Sequence, residues 1–308
     1  MIHINRHPLK KITFLLFILA GIFIIYFSFS FERQTEVIEN FEQEEQIDDE
    51  LNVEKEEDKI EEAVLQEDPV RDFLKDQIEK ATNFFFTQDL QIVTLGDSLT
   101  EGVGDETNKG GYVGILEQNL THDEYVVEIH NFAKRGSRST HLINKLKEDE
   151  VVQALENADI VLITIGANDI MQVFKENFTK LTLEIFEQEQ IRYENRLHEI
   201  FFQIRNINGE ADIFLIGFYN PFHQYFSYIK ELDLIVNSWN DVGLRVTEQY
   251  EHVHFIPLKD LFDDAPINYF ADDHFHPNHL GYKRIAERVL QYLMNEGGNH
   301  AEMDSADE

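Results

Sequence analysis

Gln91-Ile92-Val93-Thr94-Leu95-Gly96-Asp97-Ser98-Leu99 runs from an apolar stretch rich in β-branched residues straight into a turn tetrapeptide. A short apolar run that stops at glycine reads as a buried strand ending in a tight turn. Four more strand-like runs, at 125–131, 159–165, 212–218 and 252–256, alternate with helical stretches. This alternation predicts an α/β fold, a three-layer sandwich built on a five-stranded, mostly parallel sheet. Val161-Leu162-Ile163-Thr164-Ile165 and Ile213-Phe214-Leu215-Ile216 are nearly continuous apolar runs, as expected of central strands covered by helices on both faces.

The turn at Ser98 gains chemical meaning from Asp273-His274-Phe275-His276-Pro277 far downstream. A serine hydroxyl is a weak nucleophile until a base takes its proton, and imidazole suits that task near neutrality. A carboxylate at Asp273 would accept the other ring N–H, fix the tautomer and stabilise the imidazolium. Taken singly, Gly-Asp-Ser is a common turn and Asp-x-x-His a common helix start. A shift of one residue would put Asp272 beside His276, or His274 in the base's place. Pro277 favours His276, because a proline at the first helical position would follow it. Asn278 to Leu293 then reads as a helix with an apolar stripe of Leu280, Ile285, Val289 and Leu293.

Two further blocks sit at strand ends. Asn131-Phe132-Ala133-Lys134-Arg135-Gly136 follows the second strand, and Gly166-Ala167-Asn168-Asp169 follows the third. Acyl transfer needs donors aimed at the oxygen where negative charge develops; a glycine N–H approaches closely and an asparagine amide is a neutral donor. The plainer readings are a turn glycine at 136 and a helix N-cap at 168.

In these four ordered blocks the chain resembles the SGNH subgroup of the GDSL esterase and lipase family, over residues 91 to 294. The resemblance implies a flavodoxin-like hydrolase fold, a nucleophile at Ser98 and a base at His276 oriented by Asp273. It further implies an oxyanion hole from the Ser98 N–H, the Gly136 N–H and the Asn168 amide, with no cofactor and no metal. Within the family the chain is most similar to secreted or membrane-attached hydrolases of Gram-positive bacteria. In an open α/β sheet ligands bind beyond the carboxyl ends of the strands, where Ser98, Gly136 and Asn168 all fall.

The termini set the expected organisation of the 308 residues. Ile12 to Phe31 is twenty residues without a charge, enough for a helix across a bilayer. Arg6, Lys10 and Lys11 precede it and acidic residues follow, which places the amino terminus in the cytoplasm and the rest outside. Residues 1–31 are therefore expected to be a cytoplasmic stub and signal anchor, at the cell membrane in a single pass. Ser28-Phe29-Ser30 leaves open a cleaved signal peptide and secretion. Residues 32–68 carry 17 acidic residues against three basic ones and no glycine or proline, a self-repelling spacer. The hydrolase domain is expected at 69–294, opening with a helix at 69–87, and 295–308 is an acidic tail without structure.

The net charge of −33 excludes the basic face that a nucleic acid needs. Lys134 and Arg135 form a local exception beside Gly136. The absence of cysteine excludes a thiol nucleophile, thiolate metal sites and disulfides. His252, His254 and His279 lack ligand spacing with carboxylates, so no zinc site is expected. Tyr219, Phe222 and Tyr225 follow the fourth strand and are candidates to line a pocket for a fatty acyl chain or a sugar. The expected substrate is a small-molecule or lipid ester. The rival readings are a non-catalytic glycan- or lipid-binding module of the same fold and a thioesterase.

Overall fold

The computed structural model describes residues 90–120, 127–177, 179–180, 182–221, 230–263 and 268–304. The expected anchor at 12–31, the spacer at 32–68 and the leading helix at 69–87 lie outside the described residues. The chain divides into two units, 72–173 with 183–308, and 1–71 with 174–182. Of the second, the described part is the end of one helix and a turn in which the Lys180 N–H donates to the Asn177 carbonyl at 2.8 Å. The first unit holds the sheet. Among the described residues, no helix is long and apolar enough to cross a membrane.

The strands are β1 (Leu90–Gly96), β2 (Val127–Asn131), β3 (Ile160–Thr164), β4 (Asp212–Ile216) and β5 (Val253–Ile256). They pair in the order β2-β1-β3-β4-β5, every neighbouring pair parallel. In the register, Thr94 of β1 stands between Asn131 and Leu162, and Gly96 stands beside Thr164. The central strands are sealed on both faces: Ile92, Val93, Leu95, Val161, Leu162, Ile163 and Ile213 have no exposed surface. The edge strand β2 is partly open, because only one neighbour covers it.

Strand order dictates where the helices go. Parallel crossovers are right-handed, so reversing the direction of travel across the sheet reverses the face on which the connection lies. From β1 the chain moves to one edge at β2 and thereafter moves the other way. Helices α1 (Ser98–Glu101) and α2 (Gly111–Leu120) precede β2; α3 (Ser139–Lys145) and α4 (Asp149–Glu156) precede β3. Then come α5 (Ala167–Glu176) and α6 (Leu183–Ile207) before β4, α7 (Lys230–Thr247) before β5, and finally α8 (Lys259–Asp263) and α9 (His279–Asp304). α9 packs on α2, whereas α6 packs on α3 and α7. The point where the order reverses, between the carboxyl ends of β1 and β3, opens a crevice.

α6 and α7 are held together by aromatic packing. The single tryptophan, Trp239, is buried with its ring 4.9 Å from that of Tyr193, whose hydroxyl donates to the Ile165 carbonyl at 2.8 Å. Truncating such a ring to alanine costs about 3–5 kcal/mol.

The last helix differs from its expected form in three respects. Its N-cap is Asn278, whose side-chain oxygen accepts the Gly281 N–H at 3.0 Å. Pro277 therefore lies outside the helix, bridged antiparallel to Phe270. Leu280 is 43% exposed, and the buried stripe is Tyr282, Ile285, Ala286, Val289, Leu290 and Leu293. Position 280 lies off the line drawn by 285, 289 and 293, since five residues turn a helix well past one revolution. Beyond Leu293 the helix continues into the acidic tail as far as Asp304. No proline interrupts it, and adding a residue to an existing helix costs far less than starting one.

Candidate active site

β1 ends at Gly96 with φ +143°, a conformation that L side chains rarely adopt. A Cβ there would also lie 2.3 Å from the Thr164 carbonyl oxygen of the neighbouring strand. Asp97 then caps the one-turn helix α1, its Oδ1 accepting the Leu99 N–H at 3.1 Å. Ser98 is the first helical residue, and Gly102 closes the turn in the left-handed region at φ +86°. Strand, cap and short helix together set the Ser98 hydroxyl beyond the carboxyl end of β1.

The histidine arrives from the other end of the chain. His276 Nε2 lies 2.9 Å from Ser98 Oγ, and its Nδ1 lies 2.6 Å from Asp273 Oδ2. A consistent assignment has Nδ1–H donating to the carboxylate and the Ser98 O–H donating to Nε2. Asp273 Oδ1 accepts the backbone N–H groups of Phe275 and His276, each at 2.9 Å. Burial pushes the Asp273 carboxyl up, but the hydrogen bonds and charge of His276 and the Phe275 N–H outweigh it and hold it below the ordinary carboxylate range. Asp272 and His274 are exposed, and it is Asp273 and His276 that meet. The segment is fixed by the Ala271 N–H donating to the His276 carbonyl and the Asn278 N–H to the Tyr269 carbonyl, both at 2.9 Å.

Gly136 and Asn168 lie on the segments that follow β2 and β3. Gly136 has φ +76°, is exposed, and has open space where a Cβ would project. Asn168 is the second residue of α5 and not its cap. Its amide donates to the Ser137 carbonyl at 3.0 Å and reaches toward Asp97 Oδ2 at 3.5 Å. Asn168 thus bridges the loop that carries Gly136 and the residue before Ser98. A nucleophile, a base with its orienting carboxylate, and amide donors at the mouth of a crevice are the parts that acyl transfer requires.

Residues 94–284 match the GDSL-like Lipase/Acylhydrolase family, more than half of the chain. The chain belongs to that family. It is a GDSL/SGNH-type carboxylic ester hydrolase. It is 37% identical over 225 residues to the uncharacterized protein YpmR of Bacillus subtilis (strain 168), covering 71% of this chain and 87% of that one. It is 29% identical over 209 residues to the spore germination lipase LipC of Bacillus licheniformis, covering 65% and 94%. The solved structure of lipase Lip_vut3 from a goat rumen metagenome shares the fold, with TM-score 0.58, 24% identity and coverage of 65% and 95%.

Several residues of this GDSL hydrolase that sequence reading left unassigned hold the site in place. Asp97 Oδ1 also accepts the Thr164 hydroxyl at 3.0 Å, and Thr100 Oγ1 lies 2.8 Å from both Thr164 Oγ1 and the Tyr112 hydroxyl oxygen. This buried chain joins β1, α1, β3 and α2 below Ser98. Burial pushes the Asp97 carboxyl up to about 6, against the opposing hydrogen bonds from Leu99 and Thr164. Gly104, at φ +95°, lets the loop after α1 lie on the histidine segment; a Cβ there would come within 2.9 Å of His276 Cβ. The glycines at 102, 104, 110 and 111 were the sequence signal for that close approach.

Tyr219, a candidate pocket aromatic, packs into the core. It is buried, its ring 4.1 Å from that of Phe262, and its hydroxyl donates to the Phe275 carbonyl at 3.0 Å. Its apolar body belongs to the core, and its polar tip supports the histidine segment. Phe222 and Tyr225 lie outside the described residues. His252 and His254 approach Asp212 at 3.3 and 3.7 Å at the amino ends of β4 and β5, opposite the crevice. Among the described residues, no group of three or more histidine, aspartate or glutamate side chains could hold a metal ion.

Proposed function

We propose that this hydrolase cleaves esters through an acyl-enzyme on Ser98, with His276 as base and acid, Asp273 as its orienting carboxylate, and the Ser98 N–H, Gly136 N–H and Asn168 amide as the oxyanion hole. The observation that carries this reading is the continuous hydrogen-bonded line from Ser98 Oγ through the His276 ring to Asp273. Ser98 Oγ attacks the ester carbonyl carbon as its proton passes to Nε2. The tetrahedral oxyanion forms against the amide donors. On collapse the imidazolium returns the proton to the departing alkoxide, leaving the acyl group on Ser98. Water, deprotonated by the same Nε2, then repeats the sequence and releases the acid.

The proposed substrate is a lipid acyl ester, met on the outer side of a membrane to which the uncharged segment 12–31 tethers the enzyme. The segment's length and the cations before it support the tether. The name of the Bacillus licheniformis relative, a lipase, favours an acyl lipid over an acetylated sugar.

Reaction with a fluorophosphonate probe tests the nucleophile, because only an activated serine reacts. The wild type should label, and Ser98→Ala should neither label nor turn over p-nitrophenyl esters while remaining folded. A folded wild type that stays unlabelled would favour the non-catalytic binding module. Turnover of acyl glycerides against acetylated sugars tests the substrate, and protease accessibility in intact cells tests the side of the membrane.

A further inference from the structure

The segments that carry Gly136 and Asn168, a loop after β2 and the start of α5 after β3, leave different strands, so something must fix the distance between their donors. A polar cluster lies directly behind them. Asp169, next to Asn168, is 3% exposed. Its Oδ2 accepts the backbone N–H of Ser139 at 3.0 Å and its Oδ1 accepts the Ser139 hydroxyl at 2.6 Å. Arg196, thirteen residues into α6, donates through Nε to that same hydroxyl at 2.5 Å. Its Nη2 donates to Asp169 Oδ1 at 3.3 Å and to Glu189 Oε1 at 2.6 Å. The Asn168 amide, donating to the Ser137 carbonyl at 3.0 Å, fastens the same two segments a second time, and its long 3.5 Å contact to Asp97 Oδ2 is the one an oxyanion would replace.

We infer that Arg196 is a positioning residue for ester cleavage: with Ser139 and Asp169 it fixes the separation of the Gly136 N–H and the Asn168 amide, and so the width of the oxyanion hole. The inference rests on the roles proposed above for Gly136 and Asn168.

The chemistry of the cluster fits a spacer better than a mere anchor for α6. A carboxylate removed from water is costly unless it is neutralised and hydrogen-bonded, and Asp169 receives both from groups on the Gly136 loop and on Arg196. Ser139 is the joint, accepting from Arg196 and donating to Asp169 through a single oxygen. The planar guanidinium addresses that oxygen and two carboxylates at fixed angles, and an ammonium group has no such fork. Loosening either end would let residues 136–139 move against residues 167–169. A displacement of about 1 Å at a donor is enough to cost orders of magnitude in rate.

The test is a double-mutant cycle. Arg196→Lys and Ser139→Ala are made in the wild type and in Asn168→Ala, with kcat and KM measured on p-nitrophenyl butyrate and thermal unfolding measured alongside. In the wild type each should lower kcat by about tenfold or more with KM within about twofold; in Asn168→Ala each should lower it by less than about threefold, since the donor being aligned is already gone. Equal losses in both backgrounds, or a lowered Tm with kcat unchanged, would overturn the inference. If Asn168→Ala by itself leaves kcat intact, the oxyanion assignment falls and the inference with it. Arg196→Lys keeps the charge, and Ser139→Ala keeps the guanidinium in place, so failure of one variant to fold leaves the other to decide.

Discussion

Thr164, the last residue of β3, donates its hydroxyl to Asp97 at the end of β1 at 3.0 Å, across the point where the sheet reverses its order. The bond ties the nucleophile's turn to the strand that leads to Asn168. It also satisfies a carboxylate that is almost completely removed from water.

That carboxylate makes stability depend on pH. Burial first, partly offset by Leu99 and Thr164, raises Asp97 from 3.8 to about 6 in the folded protein. The folded state therefore holds the proton more tightly than the unfolded chain does. The resulting stability is fully present below about pH 4 and is lost as the pH rises through about 6, a difference of about 3 kcal/mol. Asp97→Asn keeps an acceptor for Leu99 and Thr164 and should abolish this component. Urea unfolding at pH 4 and pH 7 should show the wild type losing about 3 kcal/mol relative to the variant over that window. Parallel curves would show that Asp97 titrates normally.

Asp273 has the opposite electrostatics, its carboxyl held low by His276 and two backbone N–H groups in spite of burial. It stays ionised at neutral pH and can both orient the ring and stabilise the imidazolium. Asp273→Asn should lower kcat about 10³–10⁴-fold at pH 8, since the amide offers Nδ1 a donor in place of an acceptor and favours the wrong tautomer. Steady-state turnover of a p-nitrophenyl ester checks this. A loss under tenfold would mean that the ring is oriented by other means.

The sheet was legible because each strand is local: a run of apolar residues, then a turn residue demanded by the strand's end. Ser98, Gly136 and Asn168 are each in the segment that follows a strand's carboxyl end, and His276 shares a short segment with Asp273, which it meets in the fold. What sequence could not convey is contact made by packing. Arg196 reaches Ser139 from a helix 57 residues away, and Thr164 meets Asp97 only because β3 lies beside β1. Tyr219 looks like a pocket aromatic until the fold turns its ring inward on Phe262. Pro277 suggested a helix start that Asn278 takes instead, because a side-chain acceptor satisfies an N–H that proline leaves open.

Asn168 is predicted to act only on the transition state. Its amide is a neutral donor on a helix, placed by Ser137 and Asp169 before any substrate arrives. Asn168→Ala should lower kcat about 10²–10³-fold with KM nearly unchanged, as removal of one oxyanion donor does elsewhere. Full kinetics over a range of substrate concentration separate the two constants. A rise in KM alone would make Asn168 a binding residue.

Two glycines with similar backbone angles should respond differently to the same methyl group. Gly136, at φ +76°, has nothing within 4 Å of the position where a Cβ would stand, so Gly136→Ala meets only the conformational penalty, about 1 kcal/mol. Gly104, at φ +95°, incurs that penalty and more: its Cβ would lie 2.6 Å from the Pro277 carbonyl oxygen and 2.9 Å from His276 Cβ. Neither atom is the far end of a flexible side chain, so the histidine segment itself must shift. Since His276 and Ser98 are joined by one hydrogen bond of 2.9 Å, a movement of a few tenths of an ångström weakens the proton transfer directly. Gly104→Ala should therefore lower kcat by at least about tenfold while the Ser98 turn remains intact, and its Tm should fall further than that of Gly136→Ala. Equal thermal shifts, with kcat of Gly104→Ala near the wild-type value, would show that the loop after α1 does not press on the histidine.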